Sequence, residues 1–461
     1  MTRISELEKK YPTVPQEVVV KWEVVSHGVR DTGDLDKIGT WQKAGEHYSY
    51  QSYDHDITLK EYVEKRPARL KDGRILRPGH FYMKNGIGAA IRIDTSSPYE
   101  IRDSGDGRLF LFEGEEKLDI SLFFPHPKPR VGPELVTGKG TPVSTLISPR
   151  RRCFQLMPVR YCEYFAHRDQ CKFCNFNGTQ DDSRSIGLSR PVTVNLEETV
   201  EAYRILSDDT MLLEGRFEMG GFMSSEQEAS IHFDFVESIA KGAPYKPVLT
   251  VQTEAMHRKD MQRLKDAGLD CMAIQMEAWD PEIFAEVCPG KAKHAPHEQW
   301  LESLLDAVDV FGAGNVGGKI IAGLSLIPPN GHTTWQQARD SHIEGNRWMI
   351  KNGVMPTFSH VRMPPGSVYW ADYQTLRQKL PPTEYFLDVA LDHHATMMEY
   401  GLYKKLNKLM YCGLCCIPTI YSGELGILAL AGDPGKWMAD VVPPESNWLA
   451  QFISSVSAQK A

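Results

Sequence analysis

The rhythm of apolar and polar positions changes near residue 150. Before it, stretches such as GAAIRIDTS (88–96) and RLFLFEGEEKLDISLFF (108–124) alternate from residue to residue, the mark of short strands. SSPYEIRDSGDG (96–107) reads as a turn-rich separator between them. Residues 1–145 are therefore expected to form a mainly β domain preceded by a short helix. PHPKPRVGPELVTGKGTP (125–142), rich in Pro and Gly and without periodicity, is the best linker candidate.

After 150, helix-length amphipathic stretches alternate with short apolar ones. Strand-like CFQLMPVRY (153–161) precedes a predicted helix over 195–209, where Asn195 is a plausible N-cap and Glu198 stands at capping-box spacing. Predicted strands follow at MLLEGRFEMGGF, YKPVLTVQTEA, DCMAIQMEA, VGGKIIAGLSLIP and MPTFSHVRMPPGS. Helical patterns separate them, at SEQEASIHFDFVESIAKG, RKDMQRLKDAG (with Gly268 as its stop), HEQWLESLLDAVDVFG and TWQQARDSHIEGNRWMIKNG, and TEYFLDVALDHHATMMEYG closes the series.

Such alternation requires a parallel sheet with right-handed crossovers, which place every helix on one face and curl the sheet. The expected fold is α/β: a partial (β/α)6 TIM-like barrel over 150–400, with the N-terminal mainly β domain before it and a Cys-containing C-terminal extension over 401–461. Six units fall short of the eight that close a barrel.

Composition adds bounds. With 461 residues, the chain is long enough for two or three domains. Hydrophobic residues at 41% and charged residues at 24% are those of a folded globular protein. The net charge of −8 and the lack of a Lys/Arg block beyond SPRRRC (148–153) make a nucleic-acid partner a poor expectation. No apolar run approaches the ~18 residues of a membrane span, and the N-terminus lacks a signal peptide, so a cytoplasmic protein without a membrane partner is expected.

In that compartment clustered thiols are metal ligands or catalytic groups sooner than disulfides. Of nine cysteines, Cys162, Cys171 and Cys174 fall together in YCEYFAHRDQCKFCNFNG (161–178), just after the first barrel strand. Barrel enzymes assemble their sites at that end of the strands. Three thiolates on a [4Fe–4S] cluster leave one iron open, whereas a zinc site would need a fourth ligand, here His167 or Cys153. Both readings stay open on the cysteines alone.

CKFCNF (171–176), with an aromatic directly before the last cysteine, FEMGGF (217–222) and FSHVRMPPGS (358–367) together resemble the radical S-adenosylmethionine (radical SAM) enzymes over roughly 150–400. LDCMAIQMEAWDPEIFAEVCPGK followed by WLESLLDAVDVFG is also similar to its biotin-synthase-like and aromatic-amino-acid-lyase-like branches. The first gap, C-x8-C, departs from the family's frequent C-x3-C-x2-C. Lengthening a loop is cheap, each doubling costing about 0.6 kcal/mol.

The resemblance implies that Cys162, Cys171 and Cys174 hold a [4Fe–4S] cluster, whose open iron binds S-adenosyl-L-methionine and cleaves it reductively to a 5′-deoxyadenosyl radical. An electron donor such as flavodoxin or ferredoxin and a small-molecule substrate follow. Gly220 and Gly221 match the family's GG motif, where absent side chains admit the SAM amino group; an ordinary strand-end turn is the plain alternative. Phe173 would pack beside the adenine or in the core. Glu254 and Glu277 end strands three and four, where SAM or its ribose is contacted, or else form rim salt bridges. Lys291 and Lys319 are candidates for the SAM carboxylate or substrate anions, or are solvated lysines. His360 and Arg362 face the cluster from strand six, and Arg362 could fork a substrate carboxylate or phosphate.

Beyond the barrel, Cys412, Cys415 and Cys416 in YCGLCC could hold an auxiliary cluster or pack as apolar residues. His393 and His394 receive no role. The expected activity is a radical reaction on a small organic metabolite. The alternatives are a radical SAM methyltransferase or modifier of a peptide or RNA, without a cobalamin-like D-x-H-x-x-G, and a zinc-stabilised barrel that binds.

Overall fold

The computed structural model describes residues 2–405 apart from 31, 36–40, 43–74, 77–79, 84–86, 106–108, 123–134, 150–152, 186–190, 210–211 and 213. Cys412, Cys415 and Cys416 lie outside the described residues, as do most of the linker candidate and the C-terminal extension from 406 onward.

Two helices open the chain, α1 (Arg3–Lys10) and α2 (Gln16–His27). Thr2 caps the first through its side chain, and Pro15 sets off the second. Four short strands follow, paired as β1 (Trp41–Gln42) with β2 (Ile75–Leu76) and β3 (His80–Tyr82) with β4 (Gly88–Ala90). An antiparallel meander then comprises β5 (Tyr99–Asp103), β6 (Leu109–Glu113) and β7 (Glu116–Ser121). The separator expected over 96–107 is thus a strand for five of its residues. Tyr99 and Ile101 point inward, a period-two signal masked by the flanking Ser, Pro and Gly.

The main sheet has seven strands in chain order: β8 (Ile147–Pro149), β9 (Cys153–Leu156), β10 (Glu214–Phe217), β11 (Val248–Thr253), β12 (Cys271–Glu277), β13 (Val316–Ala322) and β14 (Met355–His360). β9 to β14 are parallel to their neighbours, and β8 adds an antiparallel edge that the periodicity did not disclose. The fold is mixed α/β with a parallel sheet.

The crossovers carry α3 (Phe176–Ser185), α4 (Leu196–Asp209), α5 (Ser225–Gly242), α6 (Arg258–Asp266), α7 (Pro281–Val287), α8 (Pro289–His294), α9 (His297–Phe311) and α10 (Trp335–Lys351), and α11 (Thr383–Glu399) follows β14. Their starts are written in the sequence. Asn195 Oδ1 accepts from Glu198 N, Ser224 caps α5, Asp280 and Pro281 open α7, and Thr334 forms a capping box with Gln337. Helices α7 and α8 were absent from the pattern reading because each is too short to show a full amphipathic repeat, and α3 because its polar sequence FNGTQDDSRS carries no apolar stripe.

Apolar side chains of the sheet and its helices form one core, including Phe154, Phe217, Met272, Phe284 and Trp300. A second core joins the N-terminal segments to the end of the sheet. Trp22 of α2 stacks between Phe358 of β14 and Phe386 of α11, with centroids 5.3 and 4.9 Å away. Burying such a ring contributes ~1.5–3 kcal/mol, enough to fasten α2 across the last strand.

Two histidines are locked in between α10 and α11. His342 Nδ1 lies 2.8 Å from the Tyr385 hydroxyl, and burial, then His393, pushes its pKa down to about 3. Burial, then His394, pushes His393 down to about 4. Both are neutral in the folded protein, so their stabilisation is complete above the unfolded value of about 6.5 and is lost as pH falls below it. At pH 5 each should remove ~2 kcal/mol. Guanidinium unfolding at pH 7 and pH 5 reads this directly. His393→Gln should lose ~2 kcal/mol less than wild type over that interval, and equal losses would clear His393 of the effect.

Candidate active site

The cysteine loop leaves β9 and is fixed at both ends by side-chain amides. Asn177, in the first turn of α3, accepts from Cys162 N at 2.8 Å and donates to Cys162 O at 3.1 Å. Cys174 N closes a tight turn onto Cys171 O at 2.9 Å. Asn175 donates to the Pro365 carbonyl beyond β14, and Tyr369 N to Lys172 O.

Between Cys162 and Cys171 the chain is pinned to two neighbouring elements. Glu163 N donates to Gly221 O and its carboxylate accepts from Met223 N, while the Tyr164 hydroxyl sits 2.6 Å from Glu254 Oε2. On the other side, Gly290 N donates to Asp169 O, Lys172 N to Val287 O, Lys293 pairs with Asp169 and Lys172 with Glu286. Arg168 takes a left-handed φ of 59°, a conformation tolerated because its neighbours are held.

A half-open cavity of about 240 Å³ at the carboxyl ends of the strands brings together every described residue singled out above for the site: the three cysteines, Phe173, Gly220, Gly221, Glu254, Glu277, Lys291, Lys319, His360 and Arg362. That is room for a small organic ligand and not merely ordered water. His167 and Cys153, the suggested fourth zinc ligands, are not among its lining residues, and Cys153 starts β9 at the strand's opposite end. Among the described residues, no group of three or more His, Cys, Asp and Glu is arranged to hold a single metal ion.

Gly220 and Gly221 do more than leave space for a ligand. A Cβ on Gly220 would stand 2.2 Å from Tyr161 O, and one on Gly221 would stand 2.4 Å from the Tyr164 ring and 2.7 Å from Glu254 Oε1. The glycines let the end of β10 pack against the cysteine loop itself.

Charges of both signs meet at the cavity, carboxylates at Glu228, Glu254 and Glu277 and cations at Lys291, Lys319 and Arg362. Burial, followed by the Glu228 and Glu277 charges, pushes Glu254 up to about 8 against the pull of Lys291 and Tyr164. Burial by itself would lower Lys291, but the Glu277 carboxylate outweighs it and holds the ammonium well above its usual value. Lys291 bonds Glu277 at 2.9 Å and the Gln275 carbonyl at 2.8 Å. It is therefore neither a solvated lysine nor a first choice for a ligand's carboxylate.

Glu277 sits at a bulge in β12 with a φ of 69°, a strained position costing ~1–3 kcal/mol that turns its carboxylate toward Lys291. Burial pushes the Cys162 thiol up to about 12 and Cys174 upward as well. Thiols so placed become thiolates only when a cation compensates them.

Among the described cavity residues, the buried acceptor atoms without a protein partner include Glu228 Oε2, Glu254 Oε1, Glu277 Oε2 and His360 Nε2. His360 Nδ1 faces the Val361 carbonyl at 2.5 Å and must carry the proton, which leaves Nε2 as an acceptor. Burial, then Arg92 and Arg362, keeps this imidazole neutral. Unpartnered buried groups cost ~1–3 kcal/mol each, so an apolar or empty cavity is a poor match for this lining.

Several wall residues escaped the sequence reading. Glu228 accepts from Thr253 Oγ1 at 2.9 Å and was visible as a carboxylate on the apolar face of α5, beside Ala229 and His232. Glu218, bonded by Gln155, lay within the quoted FEMGGF. Val25 of α2 reaches the same cavity from the far end of the chain, and no local pattern announces that contact.

No family model matches the chain. The bacteriochlorophyllide c C-7(1)-hydroxylase of Chlorobaculum limnaeum is 25% identical over 228 residues, covering 43% of this chain and 52% of that protein. The match thus spans about half the length of the relative. Among solved structures, methylornithine synthase (PylB) superposes with a TM-score of 0.37 at 15% identity, over 53% of this chain and 64% of that one. The FeFe-hydrogenase maturase HydG from Carboxydothermus hydrogenoformans gives 0.36 at 18%, over 53% and 51%.

The glycine contacts yield a stability test. Gly→Ala ordinarily gains ~0.4–1 kcal/mol where the backbone tolerates it, but at Gly220, just past β10, the methyl meets a backbone oxygen that cannot swing aside. Gly220→Ala should lower the unfolding free energy by ~1–3 kcal/mol. A variant as stable as wild type in denaturant titration would show that the loop and the β10 end do not pack this closely.

Proposed function

We propose that this chain is a radical SAM enzyme. The observation that carries the reading is the convergence of three thiols from one pinned loop on a cavity rich in buried, unpartnered carboxylate oxygens. The donor set fits: buried thiols that need a cation, three sulfurs lining the cavity, and acidic groups facing it. A [4Fe–4S] cluster on Cys162, Cys171 and Cys174, with S-adenosylmethionine on the open iron, would supply a carbon-centred radical by reductive cleavage of the sulfonium.

The chain's own groups would bind and orient. Glu254 and Glu277, each with one free oxygen, are placed to accept hydrogen bonds from amino or hydroxyl groups of that ligand. Lys319 and Arg362 offer cations to an anionic group on the substrate, and His360 Nε2 an acceptor to a substrate donor. Val25 and Phe173 contribute apolar wall that keeps water from a reactive radical.

The substrate class is a small organic molecule with an anionic group, and the reaction class is attack on a carbon–hydrogen bond. The relative named as a hydroxylase, matched over about half its length, supports that class. Electrons would come from a donor of the flavodoxin or ferredoxin kind.

Protein reconstituted with iron and sulfide without oxygen should be brown and should cleave S-adenosylmethionine to 5′-deoxyadenosine under dithionite. Cys162→Ala, Cys171→Ala and Cys174→Ala should each abolish cleavage and lower bound iron. Cleavage retained in all three, or purified protein carrying zinc without iron or sulfide, overturns the proposal.

A further inference from the structure

The cavity does not end at the carboxylates Glu254 and Glu277. Two residues before them in the chain, Gln252 of β11 and Gln275 of β12 also line it. Two steps along a strand return to the same face, here about 6–7 Å deeper toward the amino end of the sheet. At this depth the inward residues Gln252, Gln275, Lys319 and Ser359 are part-exposed on β11 to β14, while the residues flanking each of them are buried. A barrel interior is ordinarily closed by branched apolar side chains, so an accessible polar layer marks space kept for a ligand.

The two amides are joined to each other. Gln275 Nε2 donates to Gln252 Oε1 at 3.1 Å, the only side-chain hydrogen bond of either residue among the described residues. That bond leaves the NH2 of Gln252 and the carbonyl of Gln275 available to a ligand in the cavity that both residues line. Exchanging N and O in both amides swaps the two roles and still leaves one donor group and one acceptor.

A neutral pair of this kind selects by what it leaves unsatisfied. A carboxylate meets the lone pairs of Gln275 Oε1, an ammonium meets the N–H groups of Gln252, and an apolar group satisfies neither. A group that carries an acceptor and a donor on neighbouring atoms satisfies both.

We propose that Gln252 and Gln275 form a substrate subsite on the cavity floor that binds a neutral carboxamide, lactam or urea group. The role rests on the cavity being the substrate site, as proposed above, and adds such a group to the anionic one. A substrate anchored there extends upward to the thiol loop at the carboxyl ends of the strands. Both residues are specificity-determining, and no bond of the substrate is made or broken by them.

The test is equilibrium dialysis of two probes of one shape, benzamide and acetophenone, which lacks the donor, against the anaerobically reconstituted full chain with and without S-adenosylmethionine. Wild type should hold benzamide about tenfold more tightly than acetophenone in both conditions. Gln252→Leu and Gln275→Leu should each bring the two probes within about twofold of one another by weakening benzamide, with iron and sulfide contents unchanged. Gln252→Met and Gln275→Met, which keep an unbranched side chain, serve where a leucine variant does not fold.

Equal binding of the two probes by wild type overturns the subsite, and so does a preference that survives both substitutions. Benzamide displaced by S-adenosylmethionine puts the pair beneath the cofactor and overturns the substrate role. Wild type that takes up no iron and still prefers benzamide fails the radical SAM reading while the subsite stands, so the two failures are distinct.

Discussion

The structure depends on holding a long cysteine loop still. Eight residues between Cys162 and Cys171 carry enough backbone freedom to scatter the thiols, since fixing each residue costs ~1–2 kcal/mol. The loop is ordered by bonds to elements distant in sequence: the β10 end through Glu163, β11 through Tyr164 and Glu254, the α7–α8 segment through Asp169 and Lys172, and the segment after β14 through Asn175. The length of the gap between Cys162 and Cys171 thus has a physical use. Its residues reach α8 at Gly290, where a methyl group could not fit, because a Cβ there would lie 2.5 Å from the Tyr164 ring and 2.6 Å from Asp169 O.

Burial of charge is the second constraint, and it follows from the first. Packing the loop tightly against the sheet ends removes water from Glu254, Glu277 and Lys291. A buried pair such as Lys291–Glu277 gains little over an apolar one of similar volume, while removing either member leaves an expensive uncompensated charge. Its placement at a strained φ beside the thiols is therefore better understood as service to a ligand than as a device for stability. The same logic covers the carboxylate oxygens left without protein partners around the cavity.

What could be read from the sequence divides along local and non-local lines. Period-two and period-3.6 patterns disclosed the strands and long helices of the parallel sheet, and caps such as Asn195 marked where helices begin. The cysteine spacing and the paired glycines pointed to residues that line one cavity. The pattern failed for Tyr99–Asp103, whose inward positions are surrounded by turn formers, and for α7 and α8, too short for periodicity despite the Asp280-Pro281 start. Val25 was invisible for another reason: it meets the cavity through contacts across more than a hundred residues, and no neighbouring residue type encodes such a meeting.

The two walls of the cavity consequently differ in origin. The thiol wall is made by the β9 loop, the β10 end and α8, all within the parallel-sheet region. The opposite wall is composite. Ser359, His360 and Arg362 extend from β14, and the N-terminal helix α2 adds Val25 while its Trp22 is clamped between Phe358 and Phe386. Residues Phe358 and His360 lie two apart on one strand, so the anchor of α2 and the imidazole at the cavity are coupled through the same stretch of backbone. His360 also stacks on Phe386, the other face of the Trp22 clamp. Changes in the N-terminal segments should accordingly reshape what the cavity accepts by way of Val25 and the Phe358–His360 stretch, while the cysteine loop is tied to the β14 side separately, through Asn175 to Pro365 and Lys172 to Tyr369.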